Sequence, residues 1–377
     1  MIIIVAVIDA ELAEGGLRRF PNLACMKIAG YYKNKGKGVI LKTGYENLQD
    51  FEKVYISKTF TKTKCDLRIL CLPNVVYGGT GFFYEDAPSL PYDFEHSFPY
   101  YNLYSGYIKE QLQKGRKAAE LKCFTDYSIG LLTRGCFRKC GFCVNKKYDY
   151  CIKHSPLEEF YDCSRKKIMC LDDNILAYPD WRQLIEELCA TGKPFTMKQG
   201  IDIRLVCTDF IKLINQAKYD GDLIFSFDNI ADSQIIERKL SIFREHSNMP
   251  VRMYLFCGYD HNGRYSMDFW LADIENIFKR LEIIGKYQVS PYLMRYEKYH
   301  NSPFAGLYKT IATYCNFSGI FKLISFKQYC ENERNKSKNK DRPCSEWRYY
   351  ADFVRQYPHY EARFFTENYY RRLNAND

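Results

Sequence analysis

The sequence predicts an α/β protein with mostly parallel sheets, followed by a helical extension at its C-terminal end. Short apolar segments that are typical of strands alternate with amphipathic helical segments over most of the 377 residues, a pattern that indicates parallel sheets covered by helices. The composition, with 46% hydrophobic and 27% charged residues, indicates a globular chain rather than a disordered or membrane protein. This length suffices for two domains, or for one barrel with additions.

The first predicted domain comprises residues 1–110 and is expected to be a small Rossmann-like domain. Its apolar run Ile2–Ile8 predicts a buried first strand, because no basic segment precedes it and Asp9 follows it, unlike a signal peptide. A helix is predicted over Leu23–Lys33 from its apolar spacing. Further strands are predicted over Val39–Leu41, Lys53–Ser57 and Asp66–Cys71.

A glycine-rich segment and an aromatic connector complete this domain. Gly78–Gly81 is expected to form a turn, with a phosphate cradle as the alternative. The connector Glu85–Tyr107 is rich in proline and aromatic residues, and its His96 is expected to be a structural hydrogen-bonding residue rather than a ligand. A basic, polar helix over Ile108–Leu121 leads into the next domain.

Repeated strands and helices define a second predicted domain, residues 111–330. This repetition is typical of a parallel barrel or an open sheet, in which functional residues collect at the carboxyl ends of the strands. Six strands are predicted: Tyr127–Leu132, Lys167–Leu171, Pro194–Gly200, Leu223–Phe227, Val251–Cys257 and Tyr287–Tyr296.

The loop after the first of these strands contains Cys136, Cys140 and Cys143 within eight residues. Basic residues and glycines surround the thiols, which predicts a metal-binding loop in which local positive charge favours the thiolate. Three cysteines can hold three irons of a four-iron cluster and leave the fourth iron open. A zinc site, completed by Cys151 or His154, is the alternative.

The C-x3-C-x2-C spacing, with Phe142 directly before the last cysteine, resembles the radical SAM superfamily. The resemblance covers residues from about 124 to 300 and implies a partial (β/α)6 TIM-type barrel. It implies a 4Fe-4S cluster on the three cysteines, S-adenosylmethionine on the open iron, and reductive cleavage of that cofactor to a 5'-deoxyadenosyl radical. Phe142 would lie near the adenine, and a reductant such as flavodoxin or ferredoxin would supply the electron.

Polar residues after the next two strands are candidate cofactor contacts. Asp172, Asp173 and Asn174 resemble the segment that receives the methionine amino group in this superfamily, since carboxylate and amide oxygens accept hydrogen bonds from an ammonium group. Helix capping is the alternative for Asn174. The side chains of Gln199, Asp202 and Arg204 could bind ribose hydroxyls, the cofactor carboxylate or substrate; an Asp202–Arg204 ion pair is the equal alternative.

The N-terminal domain resembles the cobalamin-binding domain of one radical SAM subclass. The D-x-H-x-x-G signature of that domain is absent, because the first strand ends in Asp9–Gly16 without a histidine. Cobalamin is therefore not expected. Tyr259 and Cys257 are conceivable hydrogen-atom donors, but the sequence assigns no catalytic residue.

Charge and the C-terminal residues 331–377 bear on the substrate. A net charge of +10 suits a nucleic acid or nucleotide, with a merely basic surface as the alternative. The polar run Asn332–Arg342 predicts a solvated loop, and the aromatic and arginine residues after Pro343 predict either base stacking or an amphipathic helix packed on the barrel.

Several functional alternatives stay open at this point. The modified substrate is expected to be a nucleic acid or nucleotide, with a peptide or protein second. Two non-enzymatic hypotheses are a zinc-stabilised nucleic-acid-binding module and a degenerate radical SAM scaffold that binds a partner. No apolar run is long enough to span a bilayer, so no membrane contact is expected, and the scattered cysteines favour the reducing cytoplasm.

Overall fold

The computed structural model describes residues 4–16, 20–336 and 344–370. Contacts divide the chain into two compact units: unit 1 is Met1–Lys139 with Cys143–Lys198, and unit 2 is Cys140–Phe142 with Gln199–Asp377. The predicted boundaries near residues 110 and 330 stay predictions. The strands within the described residues are β1 (Ile4–Asp9), β2 (Gly38–Lys42), β3 (Lys53–Ser57), β4 (Val75–Gly78), β5 (Tyr127–Gly130), β6 (Thr133–Arg134), β7 (Ile152–Lys153), β8 (Lys167–Cys170), β9 (Phe195–Met197), β10 (Leu223–Ser226), β11 (Val251–Cys257) and β12 (Ser290–Arg295).

Helices connect most of the strands and form the C-terminal part of unit 2. Those in the described ranges are α1 (Ala10–Ala13), α2 (Leu23–Asn34), α3 (Tyr92–Glu95), α4 (Ser105–Gln113), α5 (Lys122–Thr125), α6 (Trp181–Ala190), α7 (Thr208–Gln216), α8 (Ser233–His246), α9 (Met267–Lys286), α10 (Ala305–Asn316), α11 (Ser318–Leu323), α12 (Phe326–Lys336), α13 (Ser345–Gln356) and α14 (Pro358–Tyr360). The helix predicted over Ile108–Leu121 ends at Gln113, and a short 3-10 helix follows over Ala118–Leu121.

The first sheet of unit 1 is parallel, with strand order β2-β1-β3-β4. Its central strand β1 is buried on both faces: Val5 and Val7 pack against α2, whereas Ala6 and Ile8 belong to a separate core cluster. A strand covered on both sides needs apolar residues at every position, which explains the unbroken apolar run in the sequence. Residues 2 and 3 of the predicted first strand lie outside the described residues.

The prediction of a strand over Asp66–Cys71 is wrong. Leu67–Cys71 is a 3-10 helix, and the Asp66 side chain accepts a hydrogen bond from the Arg68 backbone N–H at 2.9 Å. This local capping bond competes with a strand ladder. The fourth strand of the sheet is β4 instead, a segment so short that its sequence shows little alternation.

Two further parallel sheets lie one in each unit. In unit 1 the order is β5-β8-β9, and β6 pairs with β7 in an antiparallel hairpin. In unit 2 the order is β10-β11-β12, and Ile201 forms an isolated parallel bridge with Phe225. These six parallel strands fall within the six segments that the sequence predicts, and β11 coincides with its prediction at both ends.

Most of the described C-terminal aromatic residues form core rather than an open surface, and Tyr349 is an exposed exception. Phe365 packs against Phe278 of α9 and Phe326 of α12, with ring centroids 4.8 and 5.1 Å apart. Others that are buried with it are Tyr350, Phe353, Tyr360, Phe364 and Tyr369. These side chains support the amphipathic-helix alternative over base stacking.

The predicted polar loop at Asn332–Arg342 is wrong in its first part, because α12 continues to Lys336. The remainder of that loop, residues 337–342, lies outside the described residues, as do Arg371 and Arg372. None of the described helices is long and apolar enough to cross a bilayer.

Candidate functional site

The cysteine loop begins and ends at the β6-β7 hairpin. Thr133 pairs with Lys153 and Arg134 with Ile152, so the chain between them leaves and returns at one place. Gly135 starts the loop with a φ of +95°, and a Cβ at this position would lie 2.4 Å from the Tyr150 carbonyl oxygen. Only glycine fits this conformation without displacing backbone.

Cys136 and Cys143, which belong to unit 1, both accept hydrogen bonds from nitrogen donors. The Sγ atom of Cys136 accepts from the Asn174 side-chain amide at 3.4 Å, and that of Cys143 accepts from the Asn145 backbone N–H at 3.4 Å. N–H donors of this kind stabilise negative charge on sulfur. Cys140 is half-buried and belongs to unit 2.

The acidity of Cys143 differs from the sequence-based expectation. Burial raises the pKa of its thiol, and the nearby carboxylate of Asp173 adds to the rise. The prediction of thiolate-favouring surroundings counted only neighbours in sequence. Asp173 comes from the end of β8 and reaches the loop through the fold.

Asp172 follows β8 and accepts hydrogen bonds from residues just before the cysteine loop. Its Oδ1 accepts hydrogen bonds from the Thr133 backbone N–H at 2.5 Å and the Thr133 hydroxyl at 2.6 Å, and its Oδ2 accepts from the Leu132 N–H at 3.4 Å. Burial raises the pKa of this carboxyl to about 6, and these donors oppose the rise. Both carboxylate oxygens of Asp172 therefore already bind donors at the start of the cysteine loop.

Asp173 and Asn174 extend this network toward the cysteines. Asp173 accepts from the Gly135 N–H at 2.8 Å and from the side-chain amide of Asn145. Asn174 is only 3% exposed, and its Oδ1 has no hydrogen-bond partner among the described residues. It makes no capping bond. A buried acceptor without a donor is unfavourable, so this oxygen marks a place where a ligand donor would fit.

The aromatic side of the loop lies within unit 2. The ring of Phe142 packs on Phe256, with centroids 4.2 Å apart, and on Tyr259 at 5.7 Å. A Cβ added at Gly141 would lie 2.4 Å from the Tyr259 hydroxyl oxygen. Phe142 is thus held by aromatic packing, and the glycine lets Tyr259 approach the loop backbone.

Two of the three residues predicted after the third barrel strand, Asp202 and Arg204, belong to an ion-pair network. Arg204 Nε lies 2.7 Å from Asp202 Oδ1, and its Nη1 lies 2.7 Å from Asp232 Oδ2. Gln199 is exposed. The ion-pair alternative is therefore observed, and the roles of these three residues toward a cofactor stay predictions.

Unit 2 also contains a buried oxygen that has no hydrogen-bond partner among the described residues. Asp228 follows β10, and its Oδ1 has no hydrogen-bond partner within the part of the chain that is described. Burial raises the pKa of this carboxyl to about 6, and the guanidinium groups of Arg280 and Arg204 oppose the rise. Arg280 donates to the carbonyl oxygens of Phe227 and Phe256 at 2.8 and 2.9 Å, which ties the ends of β10 and β11 together.

Several residues of these networks were not predicted as site residues. Asn145 has one sequence signal, its position two residues after Cys143. Thr133, Asp232 and Arg280 have none, because their partners are distant in sequence. Among the described residues, no three side chains of His, Cys, Asp or Glu lie in the arrangement of a single-ion site. Ligands of a cluster bind different irons, so this finding concerns a mononuclear site.

Unit 1 also contains a cavity of about 770 Å³. Its wall includes the carboxyl ends of β3 and β4, the connector, and loop residues near the cysteines, namely Ser57, Gly78, Gly79, Thr80, Glu95, His96, Arg134, Val144, Asn145 and His154. At its polar end, Glu95 Oε1 lies 2.8 Å from Lys27 Nζ, 3.2 Å from Arg134 Nη2 and 3.3 Å from His154 Nε2. The remaining wall is largely aromatic, with Tyr55, Tyr77, Tyr92, Phe94 and Tyr148.

No protein-family model and no curated protein matches the sequence. A solved structure does match: the radical S-adenosylmethionine methyltransferase TsrM from Kitasatospora setae, with cobalamin and a [4Fe-4S] cluster bound. The TM-score is 0.50 at 11% identity, over 78% of this chain and 75% of that one. The two chains share a fold. The predicted fold class, a Rossmann-like part followed by a partial barrel and a helical extension, is thereby confirmed.

Proposed function

We propose that this protein is a radical SAM enzyme in which Cys136, Cys140 and Cys143 hold a 4Fe-4S cluster. The observation that carries the proposal is the unpartnered Oδ1 of Asn174, whose amide nitrogen donates to Cys136. An ammonium group placed beside that cysteine would supply the missing donor. When bound, the cluster and S-adenosylmethionine supply a 5'-deoxyadenosyl radical that abstracts hydrogen from an unactivated carbon.

Different side chains are proposed to bind different parts of the cofactor. Asp172 and Asp173 hold the cysteine loop through Thr133 and Gly135. The ammonium group of the cofactor is proposed to bind among Asp172, Asp173 and Asn174, with the Asn174 Oδ1 as its acceptor. Phe142, packed on Phe256, is proposed to lie beside the adenine. The ribose or the carboxylate of the cofactor is proposed to bind near Gln199, Asp202 and Arg204. The Arg204 guanidinium is held by the side chains of Asp202 and Asp232.

The substrate proposal rests on charge. A net charge of +10 favours a nucleic acid or nucleotide over a peptide or protein substrate. Most of the described C-terminal aromatic residues are buried and so are not open to base stacking, which leaves the net charge as the main support. We place the reaction in the cytoplasm, where a reductant such as flavodoxin or ferredoxin could reduce the cluster.

A corrinoid is a second group that we propose for unit 1. The prediction against cobalamin rested on the missing histidine signature alone, and neither the fold nor the comparison supports it. The cavity at the carboxyl ends of β3 and β4 occupies the edge where ligands bind to open parallel sheets. Its volume and largely apolar, aromatic wall suit a bulky planar molecule. Ser57, Gly78 and Thr80 would hold polar groups of that molecule at the sheet edge.

The decisive test is anaerobic reconstitution with iron and sulfide, followed by reduction, addition of S-adenosylmethionine and chromatographic assay of 5'-deoxyadenosine. The wild type should form a cluster and release this product, whereas Cys136→Ala and Cys143→Ala should do neither. Cys163→Ala, which changes an exposed cysteine, is the matched control and should behave like the wild type.

Two results would contradict the enzyme proposal. Zinc binding without cluster assembly would favour the nucleic-acid-binding module. An intact cluster that never cleaves the cofactor, in the presence of candidate substrates, would favour the partner-binding scaffold.

A further inference from the structure

Two histidines, His96 and His154, line the cavity of unit 1, and they differ in how many of their ring nitrogens have a polar partner. His154 uses both: Nε2 lies 3.3 Å from Glu95 Oε1, and Nδ1 lies 2.9 Å from the Ser155 hydroxyl. His96 uses one, since its Nδ1 lies 2.9 Å from Glu159 Oε2. Within the described residues, Nε2 of His96 has no hydrogen-bond partner, and the side chain is 21% exposed.

The pair His96–Glu159 has the arrangement of a metal-ligating histidine. A carboxylate at Nδ1 keeps the proton on that nitrogen and leaves the lone pair of Nε2 available. The ring is also held by its neighbours, with Tyr92 at 4.3 Å and His154 at 5.2 Å between centroids. An oriented imidazole whose second nitrogen is unused is a candidate ligand for a transition metal.

The position at which a cobalamin histidine would stand is occupied differently. In the signature D-x-H-x-x-G, counted from Asp9, the histidine position corresponds to Glu11. Glu11 is 8% exposed, and its Oε1 accepts from the Thr59 and Phe60 backbone N–H groups at 2.8 and 2.9 Å. This carboxylate is committed to the fold, and Glu11 does not line the described cavity.

We propose that His96, oriented by Glu159, supplies the axial nitrogen to the cobalt of a corrinoid bound in this cavity. The inference rests on the corrinoid part of the proposed function and is independent of cofactor cleavage at the cluster. Sequence alone treats His96 as a structural residue, a role that its Nδ1 fulfils. Its Nε2 takes the place of the missing signature histidine, from the connector instead of the loop after β1.

The test is electron paramagnetic resonance of cob(II)alamin bound to the full chain. The cluster is reconstituted and left oxidised. The oxidised cluster is diamagnetic, so the spectrum contains only the cobalt signal. Coordination by a ¹⁴N nucleus splits the axial cobalt lines into triplets, and a ¹⁵N nucleus splits them into doublets. Protein labelled with ¹⁵N-histidine should therefore convert triplets to doublets, a result that needs no variant.

Variants then assign the nitrogen to one residue. His96→Ala should lose the label-dependent splitting, and added free imidazole should restore nitrogen coordination. Glu159→Gln should weaken cobalamin binding about tenfold, as expected for a partner that orients a metal ligand. His261→Ala, which lies in unit 2, is the control and should keep the doublets.

Each alternative outcome overturns a defined part of the proposal. No cobalamin binding overturns the corrinoid site. Triplets that persist in the labelled protein show the nucleotide base on cobalt, and unsplit lines show that no nitrogen is bound. Either result overturns the role of His96. The 5'-deoxyadenosine assay is run separately without cobalamin, so that loss of cleavage with intact histidine coupling rejects only the enzyme proposal.

Discussion

Two groups of polar side chains follow barrel strands, and they are organised differently. After β8, Asp172 and Asp173 bond mainly to backbone N–H groups of the cysteine loop. In unit 2, Asp202, Arg204 and Asp232 instead neutralise one another as ion pairs. The first group shapes a loop, whereas the second holds charges in place. Polar residues at a strand end therefore do not reveal by themselves whether they remain available to a ligand.

The unpartnered oxygen near each group differs in the same way. In unit 1 it is the neutral amide oxygen of Asn174, and in unit 2 it is a carboxylate oxygen of Asp228. A neutral amide does not titrate, so Asn174 adds no pH dependence to the free energy of unfolding. Burial of a carboxyl makes it depend on pH, because the pKa is raised.

The largest expected effect is on the loop-shaping group. Asp172→Ala leaves the Thr133 backbone N–H, the Thr133 hydroxyl and the Leu132 N–H without an acceptor. We expect the free energy of unfolding to fall by about 4 kcal/mol, measured by denaturant titration. Glu158→Ala, at an exposed carboxylate, should change it by less than about 0.5 kcal/mol. A similarly small effect for Asp172→Ala would remove the distinction between the two groups.

Asp228→Asn tests the charged oxygen of unit 2. The pKa of Asp228 is raised to about 6 from an ordinary value of 3.8, so its protonated form favours the folded state and the wild type loses stability as pH rises from about 4 to 6. Arg280 and Arg204 attract the charge and Asp202 repels it. Relative to pH 4, the variant should gain up to about 3 kcal/mol over the wild type at pH 8.

The measurement is the difference in unfolding free energy between wild type and variant across this pH range. Asp172 also has a raised pKa, but its contribution is common to both proteins and cancels in the difference. A difference that is independent of pH would mean that Asp228 titrates normally.

Gly141→Ala tests the aromatic side of the loop in unit 2. The new methyl group would meet the Tyr259 hydroxyl at 2.4 Å, and we expect a loss of about 2 kcal/mol from overpacking. Tyr259→Phe removes that oxygen, so the double variant should recover about 1 kcal/mol in a double-mutant cycle. Gly106→Ala, in α4 with open space around it, is the control and should stabilise the protein by roughly 0.5 kcal/mol or more. Strict additivity would contradict the contact.

The smallest expected effect concerns the neutral oxygen of Asn174. Asn174→Ala in the reconstituted protein should weaken S-adenosylmethionine binding about tenfold, the loss of about 1.4 kcal/mol expected for one hydrogen bond to a charged group. Calorimetric titration measures this Kd, and iron content checks that the cluster is retained. Asn102→Ala, on an exposed residue, should leave Kd unchanged. An unchanged Kd in Asn174→Ala would mean that this oxygen does not receive the cofactor.

The strands were largely predictable because burial leaves a local pattern. β1 is apolar from Ile4 to Ile8 because its two faces are covered, and β11 coincides with its predicted bounds. The exception is Asp66–Cys71, where a single side-chain bond to the Arg68 N–H forms a 3-10 helix. This hydrogen bond competes with strand pairing, and the spacing of hydrophobic residues gives no sign of it.

By itself, the sequence determined the alternation of strands and helices, the spacing of the three cysteines and the positions of polar residues at strand ends. These features depend on residues close together along the chain. Only the tertiary structure decided that Asp173 lies near Cys143, that Arg204 is paired twice, and that the Nε2 of His96, in a cavity wall, has no hydrogen-bond partner among the described residues. Such facts depend on residues far apart in sequence, whose meeting is set by sheet order and packing.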